Sequence, residues 1–318
     1  MKIVVLDGFR ANPGDLSWEK VARFGEFINY DRTPDDEILS RIGDAEVVLT
    51  NKTPLTRETL EKCPNMKLVV VLATGYNVVD TKAAAELGII VTNIPSYSSA
   101  DVAQLAIAFM LEIALNVGKT TEDIHNGRWC KDPDWCYWDY PLIELEGLTL
   151  GIIGYGNIGK RVGAIANALG MKVVYNVRHH DPSLDSEDCH YVDLEELYAV
   201  SDIVTIHCPE TAETRHMINK DTIAKMKDGV IFINTSRGGI MVEQDIADAL
   251  KSGKIYAAGI DALEHEPMKE DCPLLNAPNC YITGHIGWQP KAARERLMKI
   301  TEANIEAYIK GNPINKVN

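Results

Sequence analysis

The sequence predicts an α/β protein with two domains, each built around a parallel β-sheet that carries helices on both faces. Short β-rich runs alternate with helical stretches through residues 1–95. A second alternating series begins at Leu148, and a glycine-spaced turn follows its first strand. Alternation of strands and helices is typical of parallel sheets. A chain of 318 residues is long enough to form two hydrophobic cores.

The first series reads as a complete α/β unit that precedes the glycine turn. Asp80 is a plausible N-cap for its last helix, and Gly88 is placed to end that helix. The predicted strands are Ile3–Leu6, Val47–Leu49, Leu68–Leu72 and Ile89–Val91, and the predicted helices are Leu16–Phe27, Asp35–Ile42, Arg57–Lys62 and Thr81–Leu87.

One long apolar helix is predicted over Ser98–Val117. It is apolar on most sides, which indicates either a crossing between the domains or an ordinary core helix. Residues 119–146 break the pattern with a run of aromatic residues. We expect this excursion to pack against a neighbour such as a second subunit, or to fold back as a loop.

The second series runs from Leu148 and ends in a long helix, Lys291–Ile309, whose apolar side is interrupted by Thr301 and Asn304. If the first domain lacks a closing element, this helix returns to it. The other predicted strands are Val173–Val177, Ile203–His207, Val230–Asn234, Ala257–Ile260 and Cys280–Ile282, and the other helices are Leu194–Ala199, Ile223–Met226 and Glu243–Lys251.

Composition argues against a nucleic acid or an anionic membrane as the main partner. The hydrophobic fraction is 46% and the net charge is −14, and polyanions repel a strongly acidic chain. The seven cysteines include no Cys-x-x-Cys pair, which favours reduced thiols and a cytoplasmic protein. The start of the chain reads as a strand rather than a signal peptide. No His or Cys pair has ligand spacing, so we expect no metal site.

The glycine turn predicts a dinucleotide site. Gly154, Gly156 and Gly159 follow the apolar run Leu148–Ile153, and a helical pattern continues to Gly170. In such turns the first glycine permits the bend, the second admits a pyrophosphate, and the third lets helix and strand pack closely. The unpaired amides at the helix start attract a diphosphate. Without this strand–turn–helix context, the same glycines would indicate only a tight turn.

Three candidate catalytic residues follow predicted strands of the second series, where ligands of α/β sheets bind. The planar guanidinium of Arg237 suits a carboxylate and a neighbouring carbonyl oxygen. Paired in space, Glu266 and His285 would form a proton donor, because a carboxylate favours the protonated imidazole. Position alone gives each a plainer interpretation: a surface arginine, a loop glutamate and a structural histidine.

Five ordered motifs resemble the D-2-hydroxyacid dehydrogenase family. They are the glycine turn GYGNIG, the loop ATGYNVVD at residues 73–80, SRGG around Arg237, DALEHEP around Glu266, and TGHIGW around His285. The run YWDYP at residues 137–141 and Trp288 are similar to the glycerate dehydrogenase (hydroxypyruvate reductase) subgroup. The resemblance covers nearly the whole chain.

This resemblance implies a Rossmann dinucleotide domain, residues 99–287, inserted into a flavodoxin-like substrate domain formed by residues 1–98 and 288–318. It implies NAD(P)-dependent reduction of a small 2-keto acid, hydroxypyruvate and also glyoxylate, to the D-2-hydroxy acid by a homodimer. His285 would donate the proton, Glu266 would support it, and Arg237 would orient the substrate and polarise its carbonyl.

The resemblance also implies the binding residues. The substrate carboxylate would lie against the backbone of Thr74, Gly75 and Tyr76, with Trp288 beside the substrate. Asp261 would meet the nicotinamide amide. Further cofactor contacts are carried over to Gly154, Gly156, Asn157, Ile158, Gly159, Val177, Arg178, His207, Cys208, Pro209, Thr214, Thr235 and Gly287, of which Cys208 and Pro209 would line the adenosine side.

Two positions depart from the family pattern. An acidic residue for the ribose 2′-hydroxyl is expected about 18–20 residues past the third glycine, but Val177 stands there, and Arg178 follows it. This favours NADP or dual use; the alternative is a solvated basic loop in an NAD enzyme. Gly284 occupies the place before the catalytic histidine where the family often has proline.

Two other functions stay open. Loops containing Asn51, Lys52 and Tyr76, and the surroundings of Trp288, could select a different 2-keto acid. The C-terminal-binding-protein corepressors, which sense nucleotide, share this fold and the Arg, Glu and His set. Against that reading, the sequence contains no low-complexity segment. Formate or phosphite oxidation occurs in relatives, but none of the features we associate with it is present.

Overall fold

A computed structural model describes residues 1–318 and divides the chain into two compact units. The first comprises Met1–Ser98 and Trp288–Asn318, and the second comprises Ser99–Gly287. Every pairing between named strands in either unit is parallel. The predicted fold class, two parallel-sheet α/β domains, is confirmed.

The elements are numbered in chain order. The strands are β1 (Lys2–Val5), β2 (Glu26–Asn29), β3 (Val47–Thr50), β4 (Leu68–Val71), β5 (Ile90–Thr92), β6 (Thr149–Ile153), β7 (Lys172–Asn176), β8 (Cys189–Tyr191), β9 (Ile203–Ile206), β10 (Val230–Asn234), β11 (Ile255–Ile260) and β12 (Cys280–Ile282). The helices are α1 (Glu19–Ala22), α2 (Ile38–Ile42), α3 (Arg57–Glu61), α4 (Thr81–Glu86), α5 (Ser99–Leu115), α6 (Val117–His125), α7 (Asn157–Ala168), α8 (Leu194–Val200), α9 (Lys220–Lys225), α10 (Glu243–Ser252) and α11 (Lys291–Ile309).

The first unit contains a five-stranded sheet in the order β2-β1-β3-β4-β5, which is the flavodoxin-like order. Strands β3 and β4 are buried along their whole length, as expected where helices cover both faces. The final helix α11 packs against β4 and α1. Its two polar interruptions are buried but satisfied: the Thr301 hydroxyl donates to the Leu297 carbonyl at 2.9 Å, and the Asn304 amide donates to the Asn93 carbonyl at 2.9 Å.

The second unit contains a seven-stranded sheet in the order β12-β11-β10-β9-β6-β7-β8. This is the Rossmann order with one further strand, and the direction of winding reverses between β6 and β9. Helices α5 and α7 share a core with one face of the sheet, and α8, α9 and α10 share a core with the other. Ligands of such sheets bind beyond the carboxyl ends of the strands at this reversal.

Helix α5 is a core helix of the second unit. It packs against α7, β10 and β11. The contact with β11 requires glycine, because a β-carbon at Gly259 would lie 2.6 Å from the Phe109 ring. Helix α5 ends at Leu115, two residues earlier than predicted, and Asn116 takes a left-handed conformation before α6. No single helix is long and apolar enough to cross a membrane; the bent pair α5 and α6 meets the length and composition criteria only together.

Three secondary-structure predictions were wrong. The helix predicted over Leu16–Phe27 is only α1, and Glu26–Asn29 is an edge strand paired with β1. Gly25 lets the chain turn there, because a β-carbon at this residue would lie 2.0 Å from the Met1 carbonyl oxygen. Strand β8 was not predicted, and neither was helix α6 at the start of the aromatic excursion. All seven cysteines are free thiols.

Candidate active site

The glycine turn after β6 has the shape that a diphosphate requires. Gly154 has φ +97°, and a β-carbon there would lie 2.5 Å from the Cys208 amide nitrogen, so only glycine fits. A β-carbon at Gly159 would lie 2.3 Å from the Gly154 carbonyl oxygen, whereas one at Gly156 would meet nothing within 4 Å. Helix α7 starts at Asn157 without a side-chain cap. Its first amides can therefore bind an anion that approaches over Gly156.

Four polar side chains share one register row at the carboxyl end of this sheet. The last paired residues are Ile206 with Asn234, Asn234 with Ile260, and Ile260 with Ile282. The residues that follow them are therefore level with one another across β9 to β12. Nδ1 of His207 and Oγ1 of Thr235 are buried there without a hydrogen-bond partner. Buried polar atoms are normally satisfied, so this edge fits a dinucleotide that brings acceptor oxygens. The row consists of His207, Thr235, Asp261 and Thr283.

The predicted cofactor-selecting loop begins where β7 ends, at Asn176. Val177 and Arg178 follow, and the Arg178 guanidinium is paired with the Glu213 carboxylate on the surface. Across the reversal point, the Thr214 hydroxyl donates to the Pro209 carbonyl at 2.7 Å and holds the loop after β9. Burial raises the pKa of the Cys208 thiol to about 11, so this thiol is protonated at neutral pH.

The structure brings Glu266 and His285 together. Nδ1 of His285 lies 2.8 Å and 2.9 Å from the two carboxylate oxygens of Glu266. One of those oxygens also accepts a hydrogen bond from the Leu263 amide at 3.1 Å. A carboxylate at Nδ1 fixes the orientation of the ring. The two side chains retain 25% and 30% of their exposure, so a small substrate can reach them.

A residue assigned to the cofactor also holds the loop that carries His285. Asp261 is 3% exposed. Its carboxylate accepts hydrogen bonds from the Thr283 hydroxyl at 2.5 Å, the Ile286 amide at 2.8 Å and the Gly287 amide at 3.0 Å. These donors lie on both sides of His285, whose φ is +55°. The left-handed conformation is uncommon for a residue other than glycine and needs such support.

Arg237 lies on a segment that packs against the segment bearing Glu266. A β-carbon at Gly238 would lie 1.9 Å from the backbone of Leu263, so the two segments are in close contact. The Asn234 amide donates to the Arg237 carbonyl at 2.9 Å and shapes the turn. The guanidinium donates to the Ser236 carbonyl at 2.8 Å and forms no ion pair within this unit. Its charge is therefore available for an anionic ligand.

The predicted substrate loop belongs to the first unit. The Thr74 hydroxyl donates to the Ile94 carbonyl at 2.9 Å, and Tyr76 is 38% exposed. The neighbouring loop is tied down by Asp7, whose carboxylate accepts the amides of Asn51, Lys52 and Thr53 at 2.6–2.8 Å. Trp288 packs edge-on against Tyr97, with ring centroids 6.5 Å apart.

Comparisons with known proteins decide the family. Residues 107–287 match the family model of the D-isomer specific 2-hydroxyacid dehydrogenase NAD-binding domain. The chain is 56% identical, over the full length of both proteins, to a hydroxypyruvate reductase of Blautia hydrogenotrophica. The chain belongs to the D-2-hydroxyacid dehydrogenase family. It is 38% identical to a glycerate dehydrogenase of Methylorubrum extorquens over 92% of each chain.

The fold also has close neighbours among solved structures. The fold superposes with a TM-score of 0.88, at 29% identity and over the whole of both chains, on an acyclic imino acid reductase solved with NADPH and D-Arg. The protein is therefore an oxidoreductase of small 2-hydroxy acids that uses a nicotinamide dinucleotide. The sequence motifs identify the family, but they do not reveal the contacts that hold these loops. In the second unit Asp261 fixes the loop of His285 and Asn234 shapes the turn of Arg237, and in the first unit Asp7 holds the loop that contains Asn51. Their only sequence signal is a short polar residue at the last position of a strand or within two residues after it.

Proposed function

We propose that this dehydrogenase reduces hydroxypyruvate to D-glycerate, and glyoxylate as a second substrate, with His285 as the proton donor. The observation that carries the proposal is the contact of 2.8 Å between His285 and Glu266, on segments that also hold Arg237. The identity of 56% to a hydroxypyruvate reductase and the match to a glycerate dehydrogenase support the choice of substrate.

The second unit holds the cofactor in this proposal. The Gly154–Gly159 turn and the start of α7 bind the pyrophosphate. The nicotinamide half of the cofactor lies over the register row, against His207, Thr235 and Asp261. The remaining assigned contacts are Ile158, Val177, Arg178, Cys208, Pro209, Thr214 and Gly287. When bound, the reduced nicotinamide supplies the hydride that converts the keto carbon into an alcohol carbon.

The chain supplies the proton and the charge. Glu266 holds Nδ1 of His285, and the proton on Nε2 passes to the substrate carbonyl oxygen as that oxygen becomes negative. Arg237 donates to the same end of the substrate and stabilises the developing charge, an interaction that strengthens in the transition state. The amides of the Thr74–Tyr76 loop bind the substrate carboxylate, and Trp288 and the Asn51–Lys52 loop shape the space for its side chain.

NADP is the cofactor that the loop after β7 favours. No acidic side chain stands at Val177 to bind a ribose 2′-hydroxyl, and Arg178 offers a cation for a 2′-phosphate. The imino acid reductase of the same fold was solved with NADPH. The Arg178–Glu213 ion pair is exposed, and such pairs cost little to open.

A homodimer is proposed from the aromatic excursion. Trp135, Trp138 and Leu142 are 86%, 74% and 62% exposed, and exposed aromatic patches of this kind form interfaces. Sedimentation of the purified protein should give twice the chain mass of 35.2 kDa, and the double variant W135S/W138S should shift it toward the monomer. A wild-type monomer contradicts the proposal.

A screen of reduced nucleotides against 2-keto acids tests the function. Oxidation of NADPH and NADH is followed with hydroxypyruvate, glyoxylate, pyruvate and longer 2-keto acids, and the product is analysed on a chiral column. Hydroxypyruvate should give the highest kcat/KM with NADPH, and the product should be D-glycerate. A higher kcat/KM with another acid would reassign the substrate. Nucleotide binding without turnover of any acid would indicate a sensor instead.

A further inference from the structure

His207 is one half of a pair of side chains at the end of β9. Its Nε2 lies 3.0 Å from Oγ1 of Thr205. Thr205 is two residues earlier on the same strand, so the two side chains lie on the same face of the sheet. Thr205 is 1% exposed and has no other hydrogen-bond partner. The other ring nitrogen, Nδ1, is the buried atom without a partner in the register row.

The two groups share one contact but carry two protons. A neutral imidazole has one N–H, and the threonine hydroxyl has one O–H. Burial lowers the pKa of His207 to about 3, so the ring is neutral at physiological pH. If Thr205 donates to Nε2, the ring proton is on Nδ1. If Nε2 donates to Thr205, the hydroxyl proton has no acceptor.

Burial distinguishes the two arrangements. An unsatisfied hydroxyl proton on Thr205 would lie inside the sheet, where a ligand cannot reach it. An N–H on Nδ1 lies at the strand end, level with Thr235, in the row where the dinucleotide is proposed to bind. A buried donor without an acceptor is costly. The arrangement with the proton on Nδ1 is therefore favoured when a ligand binds, because the ligand can accept that hydrogen bond.

We propose that Thr205 is a positioning residue that keeps the ring proton of His207 on Nδ1, so that neutral His207 donates to an acceptor oxygen of the bound dinucleotide. This rests on the dinucleotide site proposed above. Thr235, directly after the neighbouring strand β10, supplies the second donor. An uncharged donor suits a cofactor whose nicotinamide ring is positive in one oxidation state and neutral in the other, because it does not bias the protein toward the reduced form.

The tautomer of His207 can be measured without the cofactor. The protein is labelled with 15N-histidine, and two-bond 15N–1H spectra are recorded for the eight histidines; H207N removes one signal and so assigns it. Wild type should show a protonated Nδ1 and a bare Nε2. T205V should mix the two tautomers, and T205S, which keeps the hydroxyl, should restore the wild-type pattern. A wild-type ring protonated at Nε2, or a pattern unchanged in T205V, overturns the proposal.

Cofactor binding supplies the second readout. The Kd values for NADH and NADPH, from ligand fluorescence, should rise about fivefold in T205V, the effect of one hydrogen bond, and stay near wild type in T205S. H207N places an amide nitrogen near the Nδ1 position, so adding T205V to it should change nothing. Equal affinity of T205V and wild type overturns the pairing. If the wild-type protein binds neither nucleotide, the proposed function is wrong. The tautomer spectra are recorded without cofactor, so they show independently whether Thr205 sets the position of the ring proton on His207.

Discussion

The second unit contains two histidine–carboxylate pairs with nearly the same contact distance. His285 Nδ1 lies 2.8 Å from Glu266, and His180 Nε2 lies 2.9 Å from Asp185. The histidine side chains are 25% and 30% exposed, and the carboxylate side chains 30% and 31%. Neither distance nor exposure therefore tells the proposed catalytic pair from a structural pair.

The neighbours of each pair make the difference. The His180 ring stacks on Tyr191 with centroids 4.4 Å apart, and Asp185 also accepts the Tyr175 hydroxyl at 2.7 Å and the Tyr191 amide at 3.0 Å. That carboxylate holds a loop together. His285 instead follows a strand at the ligand-binding edge, with Asp261 fixing its loop. A histidine–carboxylate contact therefore indicates function only when the residues around it place it at a ligand-binding edge of the sheet.

The largest expected effect is on kcat/KM, and it distinguishes His285 from His180. H285A should lower kcat/KM for hydroxypyruvate by about 10³-fold, because a positioned proton donor contributes about 10²–10⁴-fold. H180A is the matched control and should leave kcat within about twofold. E266Q should fall between wild type and H285A, since it retains a hydrogen bond to Nδ1 but not the charge. Steady-state kinetics check all three, and equal rates for H285A and H180A would remove the distinction.

Arg215 and Arg237 differ in the same way, because their neighbours differ. Arg215 is paired with Glu210 at 2.6 Å and with Glu264 at 2.5 Å, whereas Arg237 has no carboxylate partner within its unit. R237A should lower kcat/KM about 10²-fold or more, the usual cost of losing a group that stabilises transition-state charge. R237K should recover part of the loss, because lysine has the charge without the planar fork.

R215A serves as the control for Arg237. It removes exposed ion pairs, which contribute little, and should leave kcat/KM near wild type. Thermal melts confirm that the variants are folded. A defect in R215A as large as that in R237A would mean that the charge of this surface, not a specific contact, drives the reaction.

The sequence predicts the parts of this site that depend on local signals. The glycine turn and α7, the strands β10 and β12, and the final helix are all visible in short windows, because glycine spacing and apolar periodicity are local properties. Edge strand β2 was read as helix because its pairing with β1 is not local and its residues show no clear alternation. The motif resemblance, rather than periodicity, pointed to the partnership of Glu266 with His285.

Contacts that depend on strand order could not be predicted. Asp261 and Thr283 meet because β11 and β12 are neighbours in register, and the sequence does not give the register. Thr205 reads as an ordinary β-branched strand residue; only the orphaned Nδ1 of His207 shows that its hydroxyl matters. The loops around Asn51 and Tyr76 are proposed to select the side chain of the substrate, and their residue types suit many small acids.

The loop that the His180–Asp185 pair supports also contains Arg178. R178A should raise the Kd for NADPH about tenfold, the cost of a charge-assisted contact to phosphate, and leave the Kd for NADH unchanged. E213Q removes the competing carboxylate and should tighten NADPH binding by a small factor. Fluorescence titrations with both nucleotides measure this. An equal loss for NADH and NADPH in R178A would show that the arginine does not read the 2′-phosphate.

The smallest expected effect is on stability and involves only the structural pair. The Tyr175 hydroxyl and then the Tyr191 amide and His180 hold the pKa of Asp185 below its usual value, although its burial opposes this. A carboxyl group whose pKa is lowered by folding stabilises the protein above its unfolded pKa, about 3.9, and loses this contribution as the pH falls through its folded value.

D185N should therefore lower Tm at pH 7 by about 2–4 °C, as expected for one lost interaction in a protein of this size. The difference from wild type should begin to shrink below about pH 4, the unfolded pKa, and should vanish only once the pH falls through the lower folded pKa, where native Asp185 is protonated as well. Calorimetry at pH 7 and at a series of pH values below about 4 checks the trend, and kcat at saturating cofactor should not change. If D185N lowered kcat as much as E266Q does, the His180–Asp185 and His285–Glu266 pairs would have the same role. The residues around each pair would then not explain a difference between them.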